Sequence, residues 1–494
     1  MDKEKYEIII GLEIHAQLKT ASKMFCSCDN MSVNASPNSN ICPICLGMPG
    51  MLPVINKKAV EWTYLLGLAL DGKISEQFNF ERKNYFYPDL PKAYQITSAT
   101  NPPVIGGYLD IESELGRRRI RIHHIHLEED AGKLIHSADK SHSLVDLNRA
   151  GTPLMEIVTE PDIRSPKEAS LFMQELRSIL RYLRISDANM EQGNMRCDAN
   201  ISLRPIGQKE YGTKVEIKNI NSFKMVERAL EYEIERQSDI LENNETIRQE
   251  TRGWDDNKGK TLPQRSKEAA NDYRYFPEPD LPPINLNKSN SIKIEKIHSL
   301  LPELPKEKMQ RFMEDYGLPE IDAAALTSDY DMARYFEQVM EEMPEIAGNT
   351  ESTKMKAKKV SNWLLSELVA KLNESNIFIS DIKIGHKDFA NLIKMIDAGD
   401  ISGKIAKDVF TEMFETGKAP ESIVEARGLI QISDKVVLGK ILDDVIIVNE
   451  KSVKDYREGK QQAFGFLIGQ IMAKTKGQAN PHLVNEMLKE RLSK

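Results

Sequence analysis

A chain of 494 residues with 40% hydrophobic and 29% charged side chains is long enough for two to four domains and has the balance of an ordinary globular protein. No apolar run approaches the length that crosses a bilayer, the longest being "YLLGLAL" at 64 to 70, and the opening "MDKEKYEIII" lacks the features of a secretory signal, so no membrane role and a cytoplasmic location are expected. A formal net charge of -8 argues against a protein coated in nucleic acid but leaves room for a local basic site.

In chain order, "EIIIGLEIHAQL", "RRIRIHHIHLE", "RCDANISLRP" and "TKVEIKN" read as strands, from their alternation and β-branched content. Between the second and third stands a helix signal, "SPKEASLFMQELRSILRYL". Ser165 is placed as N-cap, Pro166 at the first helical position and Glu168 to close a capping box. Ala169, Phe172, Leu176, Ile179, Leu180 and Leu183 form its apolar stripe. A second helix is expected from about Ser222 through Gln237. Strands outnumber helices without regular alternation, which predicts an α+β domain around a largely antiparallel sheet. The pattern changes in "YFPEPDLPPINLNKSNS", where Pro277, Pro279, Pro282 and Pro283 precede a polar tract. Beyond it the period is helical, as in "PEIDAAALTSDYDMARYFEQVMEEM" and "KAKKVSNWLLSELVAKLNE". The last segments, "GKQQAFGFLIGQIMAKTKG" with Gly477 as its stop and a helix capped by Asn480-Pro481, predict a small helical tail. The expected division is 1–295, 296–420 and 421–494.

Four of the five cysteines stand as C-x-C and C-x-x-C pairs: Cys26, Cys28, Cys42 and Cys45. Two chelating pairs across a loop are what tetrahedral zinc requires. Disulfides and a redox C-x-x-C are the competing readings; a reducing compartment weighs against the first, and the second pair against the other. Four thiolates leave no open coordination position, so such a zinc would hold the loop without joining the chemistry.

Alternation puts Glu13, His15 and Gln17 on one face of the first strand. It likewise groups Arg196, Asp198, Asn200, Ser202 and Arg204, and then Lys214, Glu216 and Lys218, while Glu128, Glu129 and Asp130 end another strand. A solvated sheet face is the plain account of any one of these. Together they suggest an ion-lined concavity, and oxygen ligands with one imidazole suit magnesium or manganese. In "FERKNYFYPDLPKAYQ", Arg82, Lys83 and Lys92 offer charges for phosphate, and Tyr85, Phe86, Tyr87 and Tyr94 offer either stacking or core packing. No G-x-x-x-x-G-K-[ST] or G-x-G-x-x-G is present, so a nucleotide site would be neither P-loop nor Rossmann.

These stretches closely resemble the B subunits of the glutamine-dependent aspartyl/glutamyl-tRNA amidotransferases. The match runs through "IGLEIHAQL", "PNSN", "RKNYFYPDLPKAYQI", "HLEEDAGK", "SLVDLNRAGTPLMEIVTEPD", "RCDANISLRP", "TKVEIKNINSF", "QETRGWD", "DYRYFPEPDLPP" and "GKQQAFGFLIGQIMAKTKGQANP". With no inserted synthetase-like domain before the tail, the chain looks like the bacterial B form. The resemblance implies a cradle domain, a helical domain and a YqeY-like tail that grips tRNA. It implies an ATP-dependent carbon–nitrogen ligase working as a heterotrimer, with an amidase as the A subunit and a small belt-like C subunit. Its substrate would be tRNA(Gln) or tRNA(Asn) misacylated with Glu or Asp, the side-chain carboxylate being phosphorylated and the phosphate then displaced by ammonia. Carried over by motif, Glu13, His15, Glu129 and Glu216 would hold Mg2+ (or Mn2+), with Asp198 nearby. Arg82, Lys83, Tyr87, Asp89 and Lys92 would contact ATP or the aminoacyl end, and Lys214 and Lys218 a phosphate. In the tail Lys460, Lys474 and Lys476 would meet the RNA backbone. The alternative reading is a non-catalytic zinc-containing tRNA-binding module.

Overall fold

The twelve residues Tyr6–Gln17 form β1, whose Leu12, Ile14 and Ala16 are buried while Glu13, His15 and Gln17 are half-buried on the other face. This is the two-residue period of a strand lying between an apolar core and a polar face. The structure is a computed structural model and describes all residues except 1–4, 32–34, 115, 138, 140, 265–269, 289–291, 344–349, 376, 430–434, 476–478, 480 and 494. The chain divides into two compact units, Met1–Leu304 and Pro305–Lys494.

The remaining strands along the main path of the sheet in the first unit are β2 (Glu81–Asn84), β3 (Tyr94–Thr97), β4 (Gly116–Glu129), β5 (Pro153–Thr159), β6 (Met195–Pro205), β7 (Val215–Ile220), β8 (Thr251–Asp255), β9 (Lys260–Pro263) and β10 (Phe276–Pro277). Their spatial order is β9-β8-β7-β6-β1-β5-β4-β3-β2-β10. The pairings along this path are antiparallel except for β7 with β8. The expected α+β architecture around a largely antiparallel sheet, followed by helices, is what the chain adopts.

Three helices, α1 (Lys57–Ala69), α2 (Pro166–Tyr182) and α3 (Phe223–Glu242), share one core with the sheet. Phe172, Leu176 and Leu180 of α2 and Val226 and Leu230 of α3 join Leu12, Ile14 and Ala16 there. Helix α2 starts as its sequence predicts: the Ser165 side chain accepts from the Glu168 amide at 3.1 Å. The Glu168 carboxylate reaches back one residue further than a standard capping box, accepting from the Arg164 amide at 2.8 Å. Helix α3 is capped by Ser222 and runs five residues beyond the expected Gln237. With the helices on the apolar side, the other face of β1 and its neighbours is left to polar side chains.

In the second unit, the stretch 319–343 forms two helices, Glu320–Thr327 and Tyr330–Glu341, because the Asp329 side chain caps a fresh start at Tyr330 by accepting from the Met332 amide. The stretch 356–374 contains a wider, π-type turn at Leu364–Leu368. Toward the end, Leu438, Leu442, Leu467, Ile471, Val484 and Leu488 of three helices build a core of their own. The anticipated stop Gly477 and cap Asn480 lie outside the described residues, as does Lys476. Lys460 and Lys474 are exposed and paired with Asp455 and Asp444, each at 2.7 Å. No helix among the described residues is long and apolar enough to cross a membrane.

Candidate metal and phosphate site

On β1, His15 stands opposite Glu156 of β5 and Arg196 of β6, and Glu13 stands opposite Asp198 of β6. Glu156 in turn opposes His126 of β4. Directly opposed residues share a face, so His126, Glu156, His15 and Arg196 form one row across four strands, with Glu128 two positions beyond His126 on the same side. His15 Nε2 lies 3.1 Å from Glu156 Oε2 and 3.6 Å from Glu128 Oε1. His126 Nε2 lies 3.3 Å from Glu156 Oε2 and 3.7 Å from Glu128 Oε2. One donor atom each from His15, Glu128 and Glu156 falls within 4.8 Å of the other two.

Charge in this row is strongly coupled. Burial works against a proton on His126, yet the Glu156 and Glu128 carboxylates outweigh it and raise that imidazole to about 9. His15 moves up for the same reasons. Burial opposes the charge on Glu156, but His126 and His15 hold it well below the usual carboxylate range. His124 goes the other way, to about 4, through burial and the neighbouring His126 and His123. Glu156 and the two imidazoles thus each favour the other's charged form. Two carboxylates and an imidazole converging on one point are a donor set that fits magnesium or manganese.

Beside this row lies a second acidic group. Glu13 accepts from Asn200 Nδ2 at 2.8 Å, and Glu216 accepts from Thr251 Oγ1 at 2.7 Å. Lys218 Nζ donates to Asp198 at 2.7 Å and lies 3.5 Å from Glu216 Oε1. Lys214 is exposed just ahead of β7.

Glu129 follows Glu128 but faces elsewhere. It is ion-paired with Lys92, and its Oε1 accepts from the Ile96 amide at 3.1 Å. Among the described residues the geometry thus gathers His15 with Glu128 and Glu156, rather than with Glu13, Glu129 and Glu216. In the sequence Glu128 stands out only as part of an acidic strand end, and Glu156 and His126 carry no expected role. The available signal is a lone carboxylate in the otherwise apolar "PLMEIVT" and the alternation of "HIHLE".

The cationic stretch divides in its roles. Arg82 is committed within the fold: its fork meets Glu278 at 2.7 and 2.8 Å, and its guanidinium stacks 4.2 Å from the Tyr94 ring centre. Lys83 is half-buried with its ammonium 4.9 Å from the Tyr273 ring centre. Burial opposes its charge, but Glu128, Tyr275 and Glu156 push its pKa up. Strand register sets it on the Glu128 side of the sheet, two positions from Glu81, which aligns with Glu128 through Thr97. Tyr87 is 50% exposed, and burial raises the Asp89 carboxyl.

The four cysteines come together as spaced, their sulfur atoms within 4.8 Å of one another. Cys42 and Cys45 sit at a turn in which the Cys42 amide donates to Cys45 Sγ at 3.1 Å. Contact with Cys26, and then the Cys42 amide and Lys23, lowers Cys45 to about 5, while burial raises Cys28 to about 11. The set could hold a metal ion, and its all-sulfur character fits zinc.

The chain as a whole resembles known proteins. Residues 8–291 match the GatB/GatE catalytic domain, and residues 345–492 match the GatB domain. The chain is 51% identical over 493 residues to the B subunit of the aspartyl/glutamyl-tRNA(Asn/Gln) amidotransferase of Caldicellulosiruptor bescii, covering 99% of this chain and 100% of that one. A relative of the same name from Persephonella marina is 50% identical over 488 residues, with 99% and 100% covered. Another, from Thermodesulfovibrio yellowstonii, is 51% identical over 484 residues, with 98% of each covered.

Proposed function

The chain belongs to the family of B subunits of the aspartyl/glutamyl-tRNA(Asn/Gln) amidotransferases, and from that premise we propose that it activates the side-chain carboxylate of Glu-tRNA(Gln) or Asp-tRNA(Asn) with ATP. It is one member of a larger ligase complex, which we take to include an amidase, the A subunit, supplying ammonia from glutamine, and a small C subunit. A carboxylate is a poor acyl donor because oxide is a poor leaving group. Transfer of the γ-phosphoryl group to a carboxylate oxygen releases ADP and leaves an acyl phosphate. Ammonia then attacks the carbonyl carbon, phosphate departs, and the amide remains.

The observation that carries this reading is the convergence of His15, Glu128 and Glu156 on one face of the sheet, with the half-buried Lys83 on the same side. Phosphoryl transfer needs positioning and charge neutralisation more than covalent help. A magnesium ion held by those three residues would, when bound, neutralise phosphate oxygens. We assign Lys83, on the Glu128 side of the sheet, and Lys92, beside Glu129, to further oxygens, which they would meet as point charges. Lys218 balances Asp198 and Glu216, keeping that acidic group from repelling an incoming phosphate. Zinc on the four cysteines would be structural. The tail, through Lys460, Lys474 and Lys476, is the part we assign to tRNA, and the division at 295 and 420 the one we retain for the domains.

The test is ATP consumption and amide formation by the reconstituted complex on each misacylated tRNA, with Glu156→Gln alongside. ADP release that requires the misacylated tRNA and is lost in Glu156→Gln supports the reading. Amide formation without ATP hydrolysis would sink it, and unchanged turnover in the variant would favour a non-catalytic tRNA-binding module.

A further inference from the structure

The cysteine loop and the Lys92–Glu129 pair are packed against each other. Gly47, two residues past Cys45, turns with φ +64°, and a Cβ there would lie 2.5 Å from Lys92 Cγ and 3.0 Å from Lys92 Cα. The backbone of the turn is therefore seated directly on the aliphatic stem of the lysine. At the other end of that stem the ammonium is nearly enclosed, paired with Glu129 and 5.9 Å from the ring centre of Phe25, the residue before Cys26. Side-chain exposures of 8% for Lys92 and 4% for Glu129 leave water little part in orienting the pair.

The second member of the pair meets the same loop. A Cβ on Gly151 would stand 3.6 Å from Cys45 Cβ and 3.9 Å from Glu129 Oε2, so cysteine and carboxylate flank one narrow gap. Lys23, fully buried, lies with its Nζ 3.9 Å from Cys45 Sγ and donates to the Asn40 carbonyl at 2.7 Å. The Asn40 amide in turn donates to Asn148 Oδ1 at 2.8 Å, tying the loop to the segment that leads into β5. Four thiolates drawn to one centre would fix the turn Cys42–Gly47, and with it the wall against which Lys92 rests.

We propose that the four-cysteine centre is a positioning device for Lys92: by fixing the Cys42–Gly47 turn it sets where the Lys92 ammonium stands, and so how tightly the pocket holds the anionic group of its substrate. This rests on Lys92 meeting a substrate phosphate, as in the function proposed above. Gly47 is then a positioning residue, acting through Lys92 without touching the reacting atoms.

Gly50 supplies the control, since it also has a positive φ (+84°) but a Cβ on it would meet nothing within 4 Å. In the reconstituted complex, with the centre loaded with cadmium, Gly47→Ala keeps the cadmium–thiolate absorbance and raises KM for ATP about tenfold or more. Gly50→Ala, carrying comparable backbone strain, leaves KM within about twofold. Equal effects of the two substitutions overturn the proposal. A thermal cycle tests the contact apart from catalysis. The loss of melting temperature in Gly47→Ala beyond that in Gly50→Ala disappears when Lys92→Ala removes the stem, and strictly additive losses overturn the proposal. The reciprocal measurement needs no glycine variant: a non-hydrolysable ATP analogue shifts the cadmium-113 resonance of the otherwise native complex but not that of Lys92→Ala, and an unmoved resonance overturns it. Unaltered KM and kcat in Lys92→Ala would remove the phosphate-binding role of Lys92 and the functional half of the proposal with it. The thermal cycle would still report the contact, so the two failures are told apart.

Discussion

Glu128 and Glu129 are consecutive, yet their carboxylates meet different partners: Glu128 Oε1 lies 3.6 Å from His15 Nε2, whereas Glu129 Oε1 accepts from the Ile96 amide and pairs with Lys92. Alternation along β4 makes the division, since neighbouring side chains leave a strand on opposite sides. One substitution therefore disturbs the surroundings of His15 and the other those of Lys92.

Divalent-ion titrations separate the two. Glu128→Gln and Glu156→Gln are expected to weaken Mn2+ binding by about tenfold or more, as loss of a direct ligand costs at least what loss of an outer partner does. Glu129→Gln leaves it within about threefold. Calorimetry or the manganese spin-resonance signal of the complex reads the difference.

A pH dependence follows from His126, whose imidazole is raised to about 9 by Glu156 and Glu128 against the opposing effect of burial. Because the folded value exceeds the ordinary histidine value of about 6.5, the stability it lends is complete below that pH and is lost as pH rises through about 9. In the presence of a chelator, the urea midpoint of the native protein should fall across this window. His126→Asn should show a flatter profile over the same range.

For the cysteine centre, Cys42→Ser should reduce bound zinc to near zero and lower the melting temperature of the first unit. Each kcal/mol lost corresponds to about 2–4 °C for a domain of some 150–250 residues, and proportionately less for a larger one. Metal analysis and calorimetry check this together, and retained zinc at full occupancy would show that the remaining three thiolates suffice.

Away from the site, Ser165→Ala removes the cap that accepts from the Glu168 amide and should cost about 1 kcal/mol of stability. Turnover at a temperature well below melting should be unchanged, because the helix start touches none of the metal or lysine donors.

Much of this arrangement is legible in the chain itself. The period-two pattern of β1 separates Leu12, Ile14 and Ala16 from Glu13, His15 and Gln17, and the start of α2 is written in Ser165, Pro166 and Glu168. The partners of His15 are not legible, because strand register is a long-range property. Nothing local in "GLEIH" specifies that Glu156, 141 positions on, stands opposite it. Likewise, a bulge between Cys197 and Ala199 shifts the pairing of β6 with β7 by a residue near Asp198, which alternation alone does not anticipate. The break at Asp329 is written as a cap, but it is hidden inside a continuous helical period.

The placement of β1 also constrains how the chain is made. Its two neighbours are Pro153–Thr159 and Met195–Pro205, so both edges of the earliest strand wait for segments synthesised far later. At about 5–20 residues per second, close to 190 residues of further synthesis take roughly ten to forty seconds. Through that interval the stretch "YEIIIGLEIHA" emerges with its backbone donors and acceptors open and its isoleucines uncovered. The strand that organises the finished sheet is thus a segment that a holding chaperone at the ribosome would protect.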